Sequence, residues 1–230
     1  ILKNILTKAP VLHNNLILEC NLHNSGTYRL TSFKESPCYI YALASKAAYE
    51  PNSLNNLRLK YFEKHQIVGK LQDKPIYVIL VRYRRLPNGN IERYYIFSFR
   101  GTEMTNISDI KSDINILFKN RDSDERFRYC YAAVKYFKSI PKYRNSYIVL
   151  TGHSLGGSIA IHISQKLNLP CVVFNPGNSI EYNIDYNPKQ VIIHKIYEDI
   201  ICACAGFSGR TFIYKTGKDS FAAHNLDNFL

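Results

Sequence analysis

The sequence predicts one α/β domain, with a mostly parallel central sheet, helices on both of its faces and an antiparallel hairpin toward the N-terminus. Three observations carry that expectation. Strand-like and helix-like segments alternate through the C-terminal half. The runs IYVILVRYRR and IERYYIFSF are separated only by LPNGN, whose Asn88-Gly89 is a strong hairpin signal. The stretch TGHSLGG, residues 151–157, joins an apolar β-branched run, SYIVL, to a helical pattern, SIAIHISQKL.

Residues 1–35 carry short apolar patches broken by Asn, Pro and Gly, and are read as an N-terminal arm packed on the core. SPCYIYALASKAAYE opens a helix with Ser36 as N-cap and Pro37 at the first helical position. The two hairpin strands follow. In NISDIKSDINILF, Ile107, Ile110, Ile114 and Leu117 recur at helical spacing and form one stripe of an amphipathic helix. SDERFRYCYAAVKYFKSI is a longer helix, capped by Ser123 and closed by Pro141. SYIVL is a strand, GGSIAIHISQKL a helix, and CVVFN, VIIHKIY and RTFIYK are the remaining strands. No repeat, low-complexity segment or linker divides residues 1–230, so a single domain is expected.

The chain is 46% hydrophobic, enough for a sizeable core, and no apolar run is long enough to span a bilayer. Its formal net charge of +12 favours anionic partners, such as acidic phospholipid headgroups. The cations are scattered (Arg82, Arg84, Arg85, Arg93, Lys119, Arg121, Arg126, Arg128) and no nucleic-acid motif accompanies them, so nucleic acid is not an expected partner. The six cysteines include no CxxC pair and no His/Cys cluster with zinc spacing. They are read as buried free thiols and no metal site is expected. Cys202 and Cys204 are placed at a strand end, pointing to opposite faces.

Chemistry explains three glycines around one serine. A serine hydroxyl is a weak nucleophile until a base takes its proton, so it must be held where a histidine reaches it. Lifting Ser154 above a sheet edge needs a tight strand-to-helix turn. Gly152 and Gly156 stand where side chains would collide in that turn, and Gly157 lets the helix close on the sheet. The helix then aims its positive end and the Leu155 N–H at a carbonyl oxygen under attack. A phosphate loop would need a lysine that is missing here.

TGHSLGG, with FRGT about fifty residues upstream, resembles the class 3 lipase family of α/β-hydrolases, typified by fungal triacylglycerol lipases. The resemblance extends from about Tyr39 onward and implies an α/β-hydrolase fold, a lipid ester substrate and no cofactor. It implies that Thr102 of FRGT helps Leu155 bind the oxyanion. It also implies a short amphipathic lid after FRGT, where Ile107, Ile110 and Ile114 lie; a helix buried permanently against the core is the alternative. A mobile lid on a +12 chain would favour contact with an anionic lipid surface.

The triad order Ser, acid, His directs attention downstream of Ser154. The acid belongs just past a core strand, where VIIHKIY ends in Glu198 and Asp199. Asp199 fits the family pattern, although the family's usual proline is missing; Glu198 is the rival. His194 lies within the strand, His162 lies in the helix, and His153 points away from its neighbour Ser154. His224, on the final loop, is the expected base. The intervals between the three residues are shorter than in fungal lipases, which suggests a trimmed scaffold. The expected activity is a serine esterase acting on glycerolipid or phospholipid. Alternatives on the same scaffold are a lipid- or membrane-binding protein without turnover, and a peptidase or thioesterase.

Overall fold

The computed structural model describes residues 27–29, 33, 36–51, 62, 67–102, 124–177, 190–203 and 209–230. Among the described residues eight strands form one sheet: β1 (Thr27–Arg29), β2 (Ile67–Leu71), β3 (Lys74–Arg85), β4 (Ile91–Phe99), β5 (Tyr147–His153), β6 (Cys171–Phe174), β7 (Val191–Ile196) and β8 (Arg210–Lys215). Their order is β1-β8-β7-β6-β5-β4-β3-β2. Strands from β4 through β8 run parallel, β1 joins β8 in parallel, and β2-β3-β4 is an antiparallel meander. The helices are α1 (Tyr39–Tyr49), α2 (Glu125–Ser139), α3 (Leu155–Leu167), α4 (Ile200–Ala203) and α5 (Ser220–His224), followed by a 3₁₀ turn at Leu226–Phe229. The α/β class is as the sequence predicts. The expected single domain over 1–230 spans segments beyond the described residues.

Alternation along the buried strands sends side chains into two cores. Val149, Val172, Phe174 and Ile192 face α1 and the C-terminal Leu226 and Phe229. Ile148, Leu150, Cys171 and Val173 face α2 and α3. α1 is buried almost all round, with Ala42, Ala44, Ala47 and Ala48 letting its backbone approach the sheet closely.

Several local expectations shift. The Ser36 hydroxyl accepts from the Cys38 N–H at 3.1 Å, which closes a turn before the helix. α1 therefore starts at Tyr39, not Pro37. α2 is capped by Asp124, whose carboxylate accepts from the Phe127 N–H at 2.8 Å, rather than by Ser123. In the β3–β4 hairpin only Gly89 takes a positive φ, of 82°. Pro87 fixes a negative φ at the first turn position, so the loop is a three-residue turn and not a two-residue Asn-Gly turn. A second hairpin, β2–β3, turns on Gln72 and Asp73, both with positive φ. The arm supplies β1 and the buried ring of Phe33. Cys202 lies in α4, not at a strand end, because Asp199 caps a helix there; Cys204 lies outside the described residues.

Cys130, Cys171 and Cys202 are buried free thiols, as expected. Cys38 is not. It is disulfide-bonded to a partner outside the described residues, a pairing that cysteine spacing alone does not reveal. Burial pushes the Cys130 thiol up to about 12, which makes it inert as a nucleophile.

His194 of β7 is stacked between Phe174 and Phe212, each ring centroid 5.3 Å away, and its Nδ1 meets the Tyr214 hydroxyl at 2.8 Å. Burial lowers its pKa to about 3. The unfolded chain, with an imidazole near ~6.5, binds a proton that the folded chain refuses. This contribution to stability is complete above about pH 6.5 and is lost as pH falls toward about 3. His194→Phe should therefore flatten the decline of unfolding free energy below about pH 6.5 in urea titrations. Equal slopes in both proteins would place a freely titrating imidazole at this position.

Candidate active site

The site is built where β5 ends. Ser154 has φ 55° and ψ −127°, a region that costs a non-glycine residue roughly 1–3 kcal/mol. Three backbone hydrogen bonds hold it there. Its N–H donates to the Phe174 carbonyl at 3.1 Å, and its own carbonyl accepts from Ser158 N–H at 3.2 Å and Gly177 N–H at 3.3 Å. The bend exists because backbone packs on backbone. A Cβ on Gly152 would lie 2.5 Å from the Gly156 carbonyl oxygen; one on Gly156 would lie 2.8 Å from the Phe99 carbonyl carbon at the end of β4. Side chains at both positions would collide with backbone, as the sequence predicts. Gly152 makes room for the first turn of α3, and Gly156 makes room for the end of β4.

His224 ends the five-residue α5, whose cap Asp219 accepts from the N–H groups of Phe221 and Ala222. It therefore sits on a helix rather than on a loop. Its Nε2 lies 2.9 Å from Ser154 Oγ, and its Nδ1 lies 2.7 Å from Asp199 Oδ2. An ionised carboxylate only accepts, so Nδ1 carries the proton toward Asp199 and Nε2 presents a lone pair to the serine hydroxyl. The other Asp199 oxygen accepts from the Ile201 and Cys202 N–H groups at 2.9 and 3.4 Å. One carboxylate thus caps α4 and orients an imidazole. Glu198 faces the other way, accepting from Gly217 N–H at 2.9 Å and from the N–H and hydroxyl of Thr216. Ser154, Asp199 and His224 all have 0% exposure.

Thr102 follows β4 in the segment Arg100–Gly101–Thr102. A Cβ on Gly101 would stand 2.6 Å from the His153 carbonyl oxygen and 3.3 Å from Ser154 Cβ, so this segment runs directly against the serine. The Arg126 guanidinium of α2 donates to the Arg100 carbonyl and, at 3.2 Å, to the Gly101 carbonyl. Thr102 Oγ1 is buried and has no hydrogen-bond partner among the described residues. A buried hydroxyl left unsatisfied is costly unless a ligand completes it. Leu155 is the first residue of α3, where N–H groups lack an intrahelical acceptor. Two cavities border Thr102. One of about 490 Å³ is lined by residues including Lys74, Arg100, Glu125 and Arg126; the other, of about 260 Å³, by Lys46, Tyr49, His153 and Asp227 among others. Ile107, Ile110 and Ile114, the expected lid, lie outside the described residues.

Residues 81–170 match the Mbeg1-like family. No curated protein matches the chain in sequence. Among solved structures, the chain resembles a Rhizomucor miehei lipase propeptide complex, a deletion mutant, at 11% identity and a TM-score of 0.39, over 87% of this chain and 75% of that one. It also resembles carboxyl esterase 2 from the mycorrhizal fungus Tuber melanosporum, at 12% identity and a TM-score of 0.33, over 72% of this chain and 83% of that one. TM-scores this low establish no shared fold.

Four residues around the site are not singled out for it by the sequence. Tyr49, Arg126 and Asn175 carry no motif, and His153 is expected to point away from Ser154. His153 Nε2 lies 2.7 Å from the His224 carbonyl oxygen, and Nδ1 lies 3.1 Å from the Tyr49 hydroxyl. A signal for Asn175 is present: it is an amide set directly at the end of a wholly apolar strand, CVVF.

Proposed function

We propose that this chain is a serine hydrolase of carboxylic esters, built on an α/β-hydrolase scaffold of the class 3 lipase type. The observation that carries the reading is the hydrogen-bonded line from Ser154 Oγ through the His224 ring to Asp199, seated on a strained strand-to-helix bend. In the proposed reaction His224 Nε2 takes the Ser154 proton as Oγ attacks the acyl carbonyl carbon. Asp199 stabilises the resulting imidazolium. The tetrahedral intermediate collapses, and the departing alkoxide takes the proton from His224. A water then gives its proton to His224 and attacks the acyl-enzyme, which releases the acid and restores Ser154. Thr102, through its hydroxyl and N–H, and the Leu155 N–H receive the negative charge on the carbonyl oxygen. The orphaned Thr102 hydroxyl fits that role.

The substrate proposed is a glycerolipid or phospholipid ester. The Mbeg1-like family is lipase-like, and the +12 charge suits an anionic lipid surface. The buried Ser154 means that substrate entry requires the site to open. Labelling by a fluorophosphonate probe, which needs an activated serine, tests the reading. Wild-type protein should label at Ser154; a chain that stays unlabelled while hydrolysing no nitrophenyl ester would be a binding protein without turnover. Thr102→Val should lower kcat by roughly 10²–10³-fold, about 2.7–4 kcal/mol, in nitrophenyl ester assays. A rate near wild type would remove Thr102 from the charge-stabilising group.

A further inference from the structure

We propose that His153 and Asn175 are positioning residues which hold His224 through its backbone carbonyl, so that the base is set by the strand ends that carry the serine rather than by the short helix it belongs to. The inference rests on the serine hydrolase reading above. The His224 carbonyl oxygen receives two side-chain donors, His153 Nε2 at 2.7 Å and Asn175 Nδ2 at 3.3 Å; the same Asn175 amide also donates to the Ala223 carbonyl at 2.9 Å. A carbonyl only accepts, so the His153 proton resides on Nε2, which leaves Nδ1 to accept from the Tyr49 hydroxyl. Burial, reinforced by the neighbouring His224, lowers the His153 pKa to about 3 and keeps that tautomer neutral.

Asn175 extends the grip to the acid. Its Oδ1 accepts from the Ile196 N–H at 2.8 Å, at the end of the strand that leads to Asp199. Its own N–H donates to the His194 carbonyl at 2.8 Å, and its φ of 40° shows a backbone bent to make these contacts. One buried amide therefore ties the segment before Asp199 to the segment ending in His224. The strand end that carries Asn175 also fixes Ser154, through the Phe174 carbonyl. The His153 and His224 rings sit 4.9 Å apart at 42°, which limits how far the base can swing. A five-residue helix near the C-terminus has little rigidity of its own. Asn228 Nδ2 donates to the neighbouring Ala222 and Ala223 carbonyls, at 2.7 and 3.1 Å, but the His224 carbonyl itself is held by His153 and Asn175.

The test uses the full chain and three variants. His153→Phe keeps the ring volume and removes both nitrogens; His153→Gln returns an amide N–H near the Nε2 position; Asn175→Asp keeps the acceptor for Ile196 N–H and removes the donor. His153→Phe and Asn175→Asp should lower kcat by roughly 10²-fold with KM near wild type, the effect of a displaced reacting group. His153→Gln should recover most of the loss. The downfield proton resonance of His224 Nδ1–H, bonded to Asp199, should broaden or vanish in His153→Phe and return in His153→Gln. Circular dichroism and Tm confirm which variants fold, and the Phe/Gln pair decides the matter if Asn175→Asp does not. Unchanged kcat and an unchanged resonance in His153→Phe would overturn the proposal while labelled wild-type protein leaves the hydrolase reading standing. A wild type that never labels would overturn the hydrolase reading and the catalytic role of the grip with it, and the resonance would still report whether His153 holds the ring in place.

Discussion

Ser154→Ala is expected to lower ester hydrolysis by about 10⁶-fold while the protein folds as before. The substitution removes one oxygen, the atom 2.9 Å from His224 Nε2, and nothing that holds the bend. Every bond that fixes the bend at residue 154 is made by its backbone: to Phe174, Ser158 and Gly177. Alanine bears the same positive-φ conformation at similar cost, so unfolding free energy should change little, and a large drop in Tm would be unexpected. Nitrophenyl ester turnover and fluorophosphonate labelling should both disappear. Turnover within about tenfold of wild type would assign the nucleophile to another residue.

The second large effect is expected for Asp199→Asn, with a loss in kcat of roughly 10⁴-fold. The amide oxygen can still cap α4 through the Ile201 and Cys202 N–H groups, as the carboxylate does. Its NH₂ then faces His224 Nδ1, which must become the acceptor, and the proton moves to Nε2. In that tautomer the imidazole cannot take the serine proton. Glu198→Gln should leave kcat near wild type, because that carboxylate is engaged with Thr216 and Gly217. Measuring both variants against one ester settles the assignment. The reverse result would move the acid by one position.

The strand-to-helix bend is legible in the sequence because its glycines answer a purely local constraint. The choice between Glu198 and Asp199 is not, since adjacent residues on a strand end differ only in the direction they point. Both carboxylates are in use, for different purposes, and only the three-dimensional placement of Thr216 and Ile201 separates them. The helix at Ile200–Ala203 escapes a sequence reading because Ile-Ile reads as strand continuation; the Asp199 cap overrides that propensity. The Gln72-Asp73 turn escapes it because it contains no glycine. Ser36 closes a turn just ahead of α1, and Ser123 yields the cap of α2 to Asp124. The partners of His224 beyond the acid, His153 and Asn175, meet it across more than forty residues of chain, a separation no local pattern encodes.

The pairing of Thr27–Arg29 with Ile213–Lys215 has a consequence for biosynthesis. A nascent polypeptide emerges from the ribosome N-terminus first, so residues 27–29 wait for residues 210–215. Until residues 210–215 are released, the margin of the sheet beside Val191–Ile196 stays open to any other extended chain. Residues 210–215, joined by residues 27–29, then cover that margin.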